Sequence, residues 1–129
     1  MESPSFALLG EALKQDAHTA VIYVDATGLV RFWNRGAEAL FGHAEADALG
    51  KSPEIIIPQE LRSAHRTCFA QAMRTSWAGS ANWDALEALH ASGALVAVEV
   101  LLTPISGVDD RPNGALGFFR RPRVASSPR

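Results

Sequence analysis

The sequence has almost no cysteine, and this scarcity excludes disulfide bonds within the chain. Cys68 is the single cysteine among 129 residues, so nothing indicates an oxidising compartment. The sequence also lacks any apolar run close to the roughly 18 residues of a membrane span. Its N-terminus, MESPSFALLG, lacks the basic start and the apolar stretch of a signal peptide. We therefore expect a cytoplasmic protein that has no membrane partner.

A strong net charge and a phosphate-binding motif are also missing. The formal net charge is −2, and the three tryptophans are not interleaved with basic residues, which argues against a nucleic-acid partner. Neither GxGxxG nor GxxxxGK occurs, so no glycine-rich loop can bind phosphate. Positive charge is concentrated at the C-terminus, where several arginines predict a basic disordered tail over residues 122–129.

What is present is the composition of a soluble globular domain, with 47% apolar and 20% charged residues. The length suits a single domain. The segment SFALLGEALKQDAH places Phe6, Leu9 and Leu13 at helical spacing, which predicts an amphipathic cap helix within residues 1–19. The domain itself is then expected to occupy residues 20–121.

Strand patterns and helix caps alternate along that domain. The runs Ala20–Val24 and Leu29–Trp33 flank a turn and predict a hairpin, and Asn34 is expected to cap a short helix that ends at Gly42. Short helices broken by glycine and proline then lead to a longer helix in PQELRSAHRTCFAQAMRTS. The segments DALEALHA, ALVAVEVLLTPI and ALGFFRR predict three more strands. This order predicts an α+β fold, with a five-stranded antiparallel sheet that carries short helices on one face.

Four segments of the chain resemble the PAS family of sensor and interaction domains. VIYVDATGLVRFWNRGAEALFGH is similar to the opening hairpin, asparagine cap and first helix of the family, and LGKSPEIIIPQELR to the steps before its long helix. ALHASGALVAVEVLLTPI and GALGFFRR are similar to its strand pair and closing strand. The resemblance implies a PAS fold, a sensory or signalling role without catalysis, and a pocket for a small apolar or planar ligand between the sheet and the long helix.

The long helix carries a histidine in the middle of its apolar stripe. A buried imidazole without a partner costs on the order of 1–3 kcal/mol, so one interpretation of His65 is a core histidine that forms local hydrogen bonds. The other interpretation comes from the run PQELRSAH, which resembles the Pro-Glu-x-x-Arg-x-x-His run of haem-binding PAS domains, including oxygen-responsive sensor kinases. That resemblance implies a haem cofactor with His65 as the axial iron ligand.

The apolar pattern and the resemblance together predict a cofactor site. Its expected residues are His65, Ile55, Ile56, Leu61, Phe69, Met73, Trp83, Val98 and Val100, with His65 as the only metal ligand. In the oxygen-binding members of the family, an arginine on the first strand after the loop holds the distal ligand. Asp84 stands nearest that place here, and a carboxylate cannot donate a hydrogen bond unless it is protonated.

Other kinds of site are not expected. The spacing of His65 and Cys68 offers zinc too few ligands, and Cys68 is interpreted as a buried structural residue because nothing near it suggests an oxyanion hole. The region KSPEIIIP lacks the reactive cysteine of flavin-binding PAS members. Asp84, Glu87 and Glu99 have no fixed acid or base partner, so we do not expect an enzyme.

The partners follow from the ends of the chain. The leading helix has no long partner helix in its own chain, and in the PAS family it commonly packs against its counterpart, so a homodimer is expected. The sequence continues into RRPRVASSPR rather than a signalling helix, so we expect a separate signalling protein as the partner. The alternative is a ligand-free interaction or dimerisation module, whose own side chains fill the core and whose sheet pairs with another protein.

Overall fold

The computed structural model describes residues 4–106 and 111–122. The helices are α1 (Pro4–Gln15), α2 (Arg35–Phe41), α3 (Glu45–Ala48) and α4 (Arg62–Ala72), with two 3₁₀ turns at Pro53–Ile56 and Gln59–Leu61. The strands are β1 (Ala20–Asp25), β2 (Val30–Trp33), β3 (Asp84–Leu89), β4 (Leu95–Ser106) and β5 (Pro112–Arg120). The predicted α+β fold and order of elements are confirmed.

The strands form one antiparallel sheet in the order β2-β1-β5-β4-β3. Ile22 lies opposite Gly117, which in turn lies opposite Leu102, so these three central residues share the face that looks towards the helices. The two outer strands differ. At β2, the N–H of Val30 donates to the carbonyl of Lys51 and its carbonyl accepts from the N–H of Gly50, both at 2.8 Å. The edge of β2 is therefore partly covered by the chain itself.

The core is centred on aromatic rings between the sheet and α2. The ring centroids of Trp33 and Phe41 are 5.9 Å apart, and Phe119 meets Phe41 edge-on at 5.3 Å. Trp33 and Phe41 are almost fully buried. Phe119 is only partly buried, and it stands at the boundary between this core and the cavity described below.

Asn34 holds three elements together. The sequence predicted only one of these contacts, the cap of α2. Its side-chain oxygen accepts from the N–H of Ala37 at 2.9 Å, which is the confirmed helix cap, and from the N–H of Val21 at 2.8 Å. Its amide nitrogen donates to the carbonyls of Leu13, Asp16 and Thr19. The end of α1, the start of β1 and the start of α2 therefore meet at one buried amide.

The boundaries of several elements differ from expectation. The long helix begins as a 3₁₀ turn, and its α-helical part is limited to Arg62–Ala72. β5 begins at Pro112, three residues before the predicted strand ALGFFRR. Residues 107–110 and residues 123–129 of the expected tail lie outside the described residues, and the division into 1–19, 20–121 and 122–129 stays a prediction. Within the described ranges, no helix has both the length and the apolar character to cross a bilayer.

Candidate functional site

A cavity of about 300 Å³ lies between the inner face of the sheet and the segment that runs from the first 3₁₀ turn into α4. One wall consists of Pro53, Ile56, Ile57, Pro58, Leu61, His65 and Phe69. The opposite wall consists of Ile22, Val24, Leu86, Glu87, Ala88, Val100, Leu102, Ala115, Gly117 and Phe119. Although Glu87 belongs to this wall, alternation along β3 places its side chain on the outer face, so His65 is the polar side chain that the described residues direct into the cavity. The cavity therefore suits a ligand that is mainly apolar.

Three leucines that line the cavity are unusually exposed. Leu61 is 52% exposed, Leu86 43% and Leu102 38%. All three line the cavity and are also exposed to solvent, although they come from three different elements. We call them the apolar rim at the mouth of the cavity. Contiguous apolar surface of this kind marks a place where a ligand or partner binds.

Helix α4 forms the outer wall, and Phe69 is the residue by which it packs partly against the core. None of its residues is buried, although Phe69 and His65 lie on its inward face. Polar contacts hold its first half: Arg62 Nε donates to the carbonyl of Ile57 at 2.9 Å, and Arg66 Nη1 donates to both carboxylate oxygens of Glu54 at 2.8 and 2.9 Å. Since short helices gain most of their stability from tertiary packing, α4 is weakly supported when the cavity beneath it is empty of side chains.

His65 lies in the cavity wall with its ring stacked on Phe69, at 6.2 Å between centroids and 23° between planes. Burial lowers the pKa of His65 below its ordinary value, and Arg66 acts in the same direction, whereas Glu54 partly opposes the change. Because this pKa lies below its ordinary value of 6.5, the imidazole is neutral near pH 7. His65 is only partly buried, so it belongs to the cavity wall and is not among the buried residues of the core.

Five of the nine residues expected in the site line this cavity, namely Ile56, Leu61, His65, Phe69 and Val100. Ile55 and Val98 do not line it. Val98 is fully buried in the main core, and Ile55 packs against that core from outside. Met73 caps the C-terminal end of α4, one turn beyond Phe69, and is not part of the wall either.

Trp83 lies away from the cavity, contrary to expectation. The guanidinium of Arg120 sits 3.8 Å above the centre of its indole ring, and Arg120 Nε donates to Glu99 at 2.8 Å. Glu99 lies opposite Ala85 in the sheet, and Ala85 alternates with the cavity-lining Leu86, so the cluster lies on the outer face. Trp83 therefore contacts a cation on the outer surface of the sheet and cannot donate to a ligand in the cavity.

The sequence reasoning missed most of the wall contributed by the central strands. Leu102 follows Val98 and Val100 on the same face of β4 by simple alternation. On β5, Ala115 and Gly117 are small residues in an otherwise bulky strand, and small inward-facing residues leave space. Small residues on β5 beside a leucine on the neighbouring β4 were the sequence pattern that could have indicated this wall of the cavity.

The remaining candidates do not form a site. Cys68 is exposed, so its interpretation as a buried structural residue is wrong, and its thiol does not line the cavity. Asp84 is exposed and also lies outside the cavity wall. Glu99 is paired with Arg120, which leaves no joint carboxylate set with Glu87. Within residues 4–106 and 111–122, no group of three or more His, Cys, Asp or Glu side chains is placed to bind a metal ion.

A wider depression on the outer surface of α4 does not compete with the cavity. It measures about 480 Å³ and is lined by Arg66, Thr67, Ala70, Gln71 and Arg74. Four of the five residues belong to α4 and Arg74 lies two residues beyond its end, so the depression is open to solvent on its other sides. It offers no enclosed surface to a small ligand.

Comparison with known proteins agrees with the fold. The family model of the PAS fold matches residues 8–122. The chain belongs to the PAS family. The PAS domain of a protein from Colwellia psychrerythraea superposes with a TM-score of 0.75 at 22% identity, covering 92% of this chain and 97% of the other. At that identity, the likeness shows the fold alone.

Two curated proteins are similar to this PAS domain in sequence. A probable serine/threonine-protein kinase of Dictyostelium discoideum is 29% identical over 97 residues, which are 69% of this chain and 6% of the kinase. Sensor protein FixL of Bradyrhizobium diazoefficiens is 33% identical over 67 residues, which are 50% of this chain and 13% of FixL. This chain thus spans only a small part of the length of either relative.

Proposed function

We propose that this PAS domain is a sensory or signalling module that binds a small apolar or planar ligand in the cavity and signals its occupancy through contacts with other proteins. One observation carries the proposal. An apolar cavity with an exposed rim of Leu61, Leu86 and Leu102 lies under a helix that has no buried residue. A ligand in that space would cover the rim and supply the packing that α4 lacks. The similarity to a sensor protein supports the same role.

Haem is the specific ligand that we propose, with His65 as its axial ligand. The lowered pKa of His65 keeps the imidazole neutral, which is the form that coordinates iron, and the ring lies in the wall of the cavity. When bound, haem would supply an iron centre that responds to gases or to redox potential. Phe69 would orient the imidazole by stacking, while the apolar walls exclude water.

The distal side of the cavity limits what such a haem could recognise. Leu86, Val100 and Leu102 offer no hydrogen-bond donor to a diatomic ligand, and Asp84 lies outside the wall. A volume of about 300 Å³ is also at the lower end of the range for ligand pockets. Haem therefore requires α4 to move outwards, and no buried residue of α4 opposes that movement.

Haemin titration followed by absorbance tests this proposal. We expect a sharp Soret band that saturates at one haem per chain and is lost or strongly shifted in His65→Ala. The matched control is His18→Ala, because His18 is exposed and lies outside the cavity wall. Equal, weak and nonsaturating absorbance in all three proteins would exclude haem and favour the ligand-free interaction module.

A homodimer is the second part of the proposal, and α1 supports it. Phe6 is 69% exposed, Leu8 71% and Leu9 56%, whereas the other end of α1 is fixed by the Asn34 amide and by an ion pair of 2.8 Å between Lys14 and Glu45. A second α1 helix could cover these apolar side chains. Light scattering coupled to size exclusion should show a dimer that dissociates in Leu9→Glu and persists in Ala7→Glu, which places the same charge on an exposed residue on the opposite side of the helix from Leu9.

A further inference from the structure

β3 is an outer strand whose free edge lies beside the mouth of the cavity. Among the described strands, it pairs with β4 on one side and with none on the other. In the described part of the chain, the backbone of residues 84–89 forms no hydrogen bond outside its ladder with β4. Residues Asp84–Glu87 are all exposed.

The hydrogen-bond pattern tells which backbone groups point outwards. The N–H of His90 donates to the carbonyl of Ala94 at 2.8 Å, where the β3–β4 hairpin closes. Because bonding direction alternates along an antiparallel strand, Ala88 and Leu86 bond towards β4, while Glu87 and Ala85 direct their N–H and C=O groups away from the sheet. Unpaired groups at this spacing are complementary to the backbone of another extended strand.

The side chains at this edge differ between the two faces. On the inner face, Leu86 belongs to the exposed apolar rim together with Leu61. On the outer face, Glu87 is exposed and forms no ion pair with another described residue. A strand added here would place successive side chains alternately beside Leu86 and beside Glu87. Cross-strand pairing favours an apolar residue at the first place and a cation at the second.

We infer that the β3 edge is a docking site for an extended peptide segment of a partner protein, in which apolar residues alternate with lysine or arginine. The peptide backbone would pair with Ala85 and Glu87, and an apolar side chain would cover the rim at Leu86. A basic side chain would lie against Glu87. This site does not require a cofactor, and it recognises a main chain rather than a small ligand.

The test measures fluorescence anisotropy of a labelled octapeptide of alternating valine and lysine. Ala85→Pro removes one outward N–H and leaves every bond to β4 intact, because proline is tolerated where the N–H of an edge strand faces solvent. We expect saturable binding to the wild type and roughly tenfold weaker binding to Ala85→Pro. The fully N-methylated peptide, which keeps its side chains but cannot pair, should not bind.

Charge reversal provides the second variant. Glu87→Lys should weaken binding of the lysine peptide by roughly two- to fivefold and should strengthen binding of a valine–glutamate peptide. Glu11→Lys is the matched control, since it changes the net charge equally on an exposed residue of α1 and should have no effect. Amide exchange at residues 85 and 87 should slow when the peptide is bound.

Either of two results would overturn the inference. One is equal binding of the normal and N-methylated peptides, and the other is wild-type affinity in both Ala85→Pro and Glu87→Lys. If Ala85→Pro loses its circular-dichroism signature, Glu87→Lys and the methylated peptide decide the outcome alone. Since the assay contains no haemin, its result is independent of whether the cavity binds haem.

Discussion

Asn34 joins the end of α1, the start of β1 and the start of α2 through one side-chain amide. It is 1% exposed, and it is the only polar residue among the buried side chains of the described chain. We expect Asn34→Ala to lower the free energy of unfolding by about 3 kcal/mol, because it removes a helix cap and leaves buried N–H and C=O groups unpaired. Urea denaturation measures this change.

Two further variants separate the parts of the Asn34 network. Asn34→Asp keeps the acceptor for Ala37 and Val21 but places a carboxylate against three carbonyl oxygens, so it should also be destabilising, and less so at acidic pH. Asn82→Ala, at an exposed loop residue, should have almost no effect. Wild-type stability in Asn34→Ala would show that water replaces the amide at low cost.

His65 makes stability depend on pH. Its pKa in the folded state is lower than the ordinary 6.5, so the unfolded chain binds more protons between those two values. The free energy of unfolding should therefore fall as pH is lowered through 6.5 and level off below the folded pKa. His65→Ala should flatten this slope, as measured by denaturation at a series of pH values. If the slope is equally steep in His65→Ala, the pH dependence of the free energy of unfolding comes from another group.

At the scale of elements, α4 is expected to open more readily than its neighbours. It has no buried residue, whereas the shorter α2 buries Gly36, Ala37, Leu40 and Phe41. Native-state hydrogen exchange should show amides of α4 exchanging at least about tenfold faster than those of α2, because exchange reports local opening. A ligand at about ten times its Kd should slow α4 by a further factor of about ten. Equal protection of α2 and α4 would contradict the weak support of α4.

The sequence predicted the elements better than the surroundings of individual residues. Helical period placed His65 and Phe69 on one face of the long helix together with Leu61, which the structure puts in the preceding 3₁₀ turn, and all three line the cavity. The same pattern could not show that nothing covers Cys68, because burial depends on what packs against a helix. Trp83 was misplaced for another reason. It follows an irregular loop, and a shift of one residue moves a strand side chain to the opposite face.

At the scale of the whole molecule, a variant that fills the cavity tests whether the domain binds a ligand there. Ala115 lines the cavity from a central strand, so Ala115→Leu would fill part of it. If no ligand binds, the added methyl groups should raise the free energy of unfolding by about 1 kcal/mol. This value assumes that the leucines of the rim stay as exposed as they are in the wild type. If a ligand binds, the same variant should weaken its affinity.

Thermal denaturation of wild type and Ala115→Leu, each with and without haemin, separates these outcomes. The expected result is that haemin raises the melting temperature of the wild type more than that of the variant. Ala12→Leu, on an exposed face of α1 outside the cavity, is the control for added apolar surface. An equal rise in both proteins would place the ligand elsewhere.

The unequal edges of the sheet also determine how far copies of this domain could assemble. A sheet with two bare edges can add a copy at each side and grow into a fibre, whereas a sheet with one bare edge adds a single copy. Here Val30 of β2 is already paired with the segment at residues 50–51, and β3 is the bare edge of the described chain. Two copies that met through β3 would form one continuous sheet with a covered strand at each end. Growth through the edges of the sheet alone therefore stops at two chains.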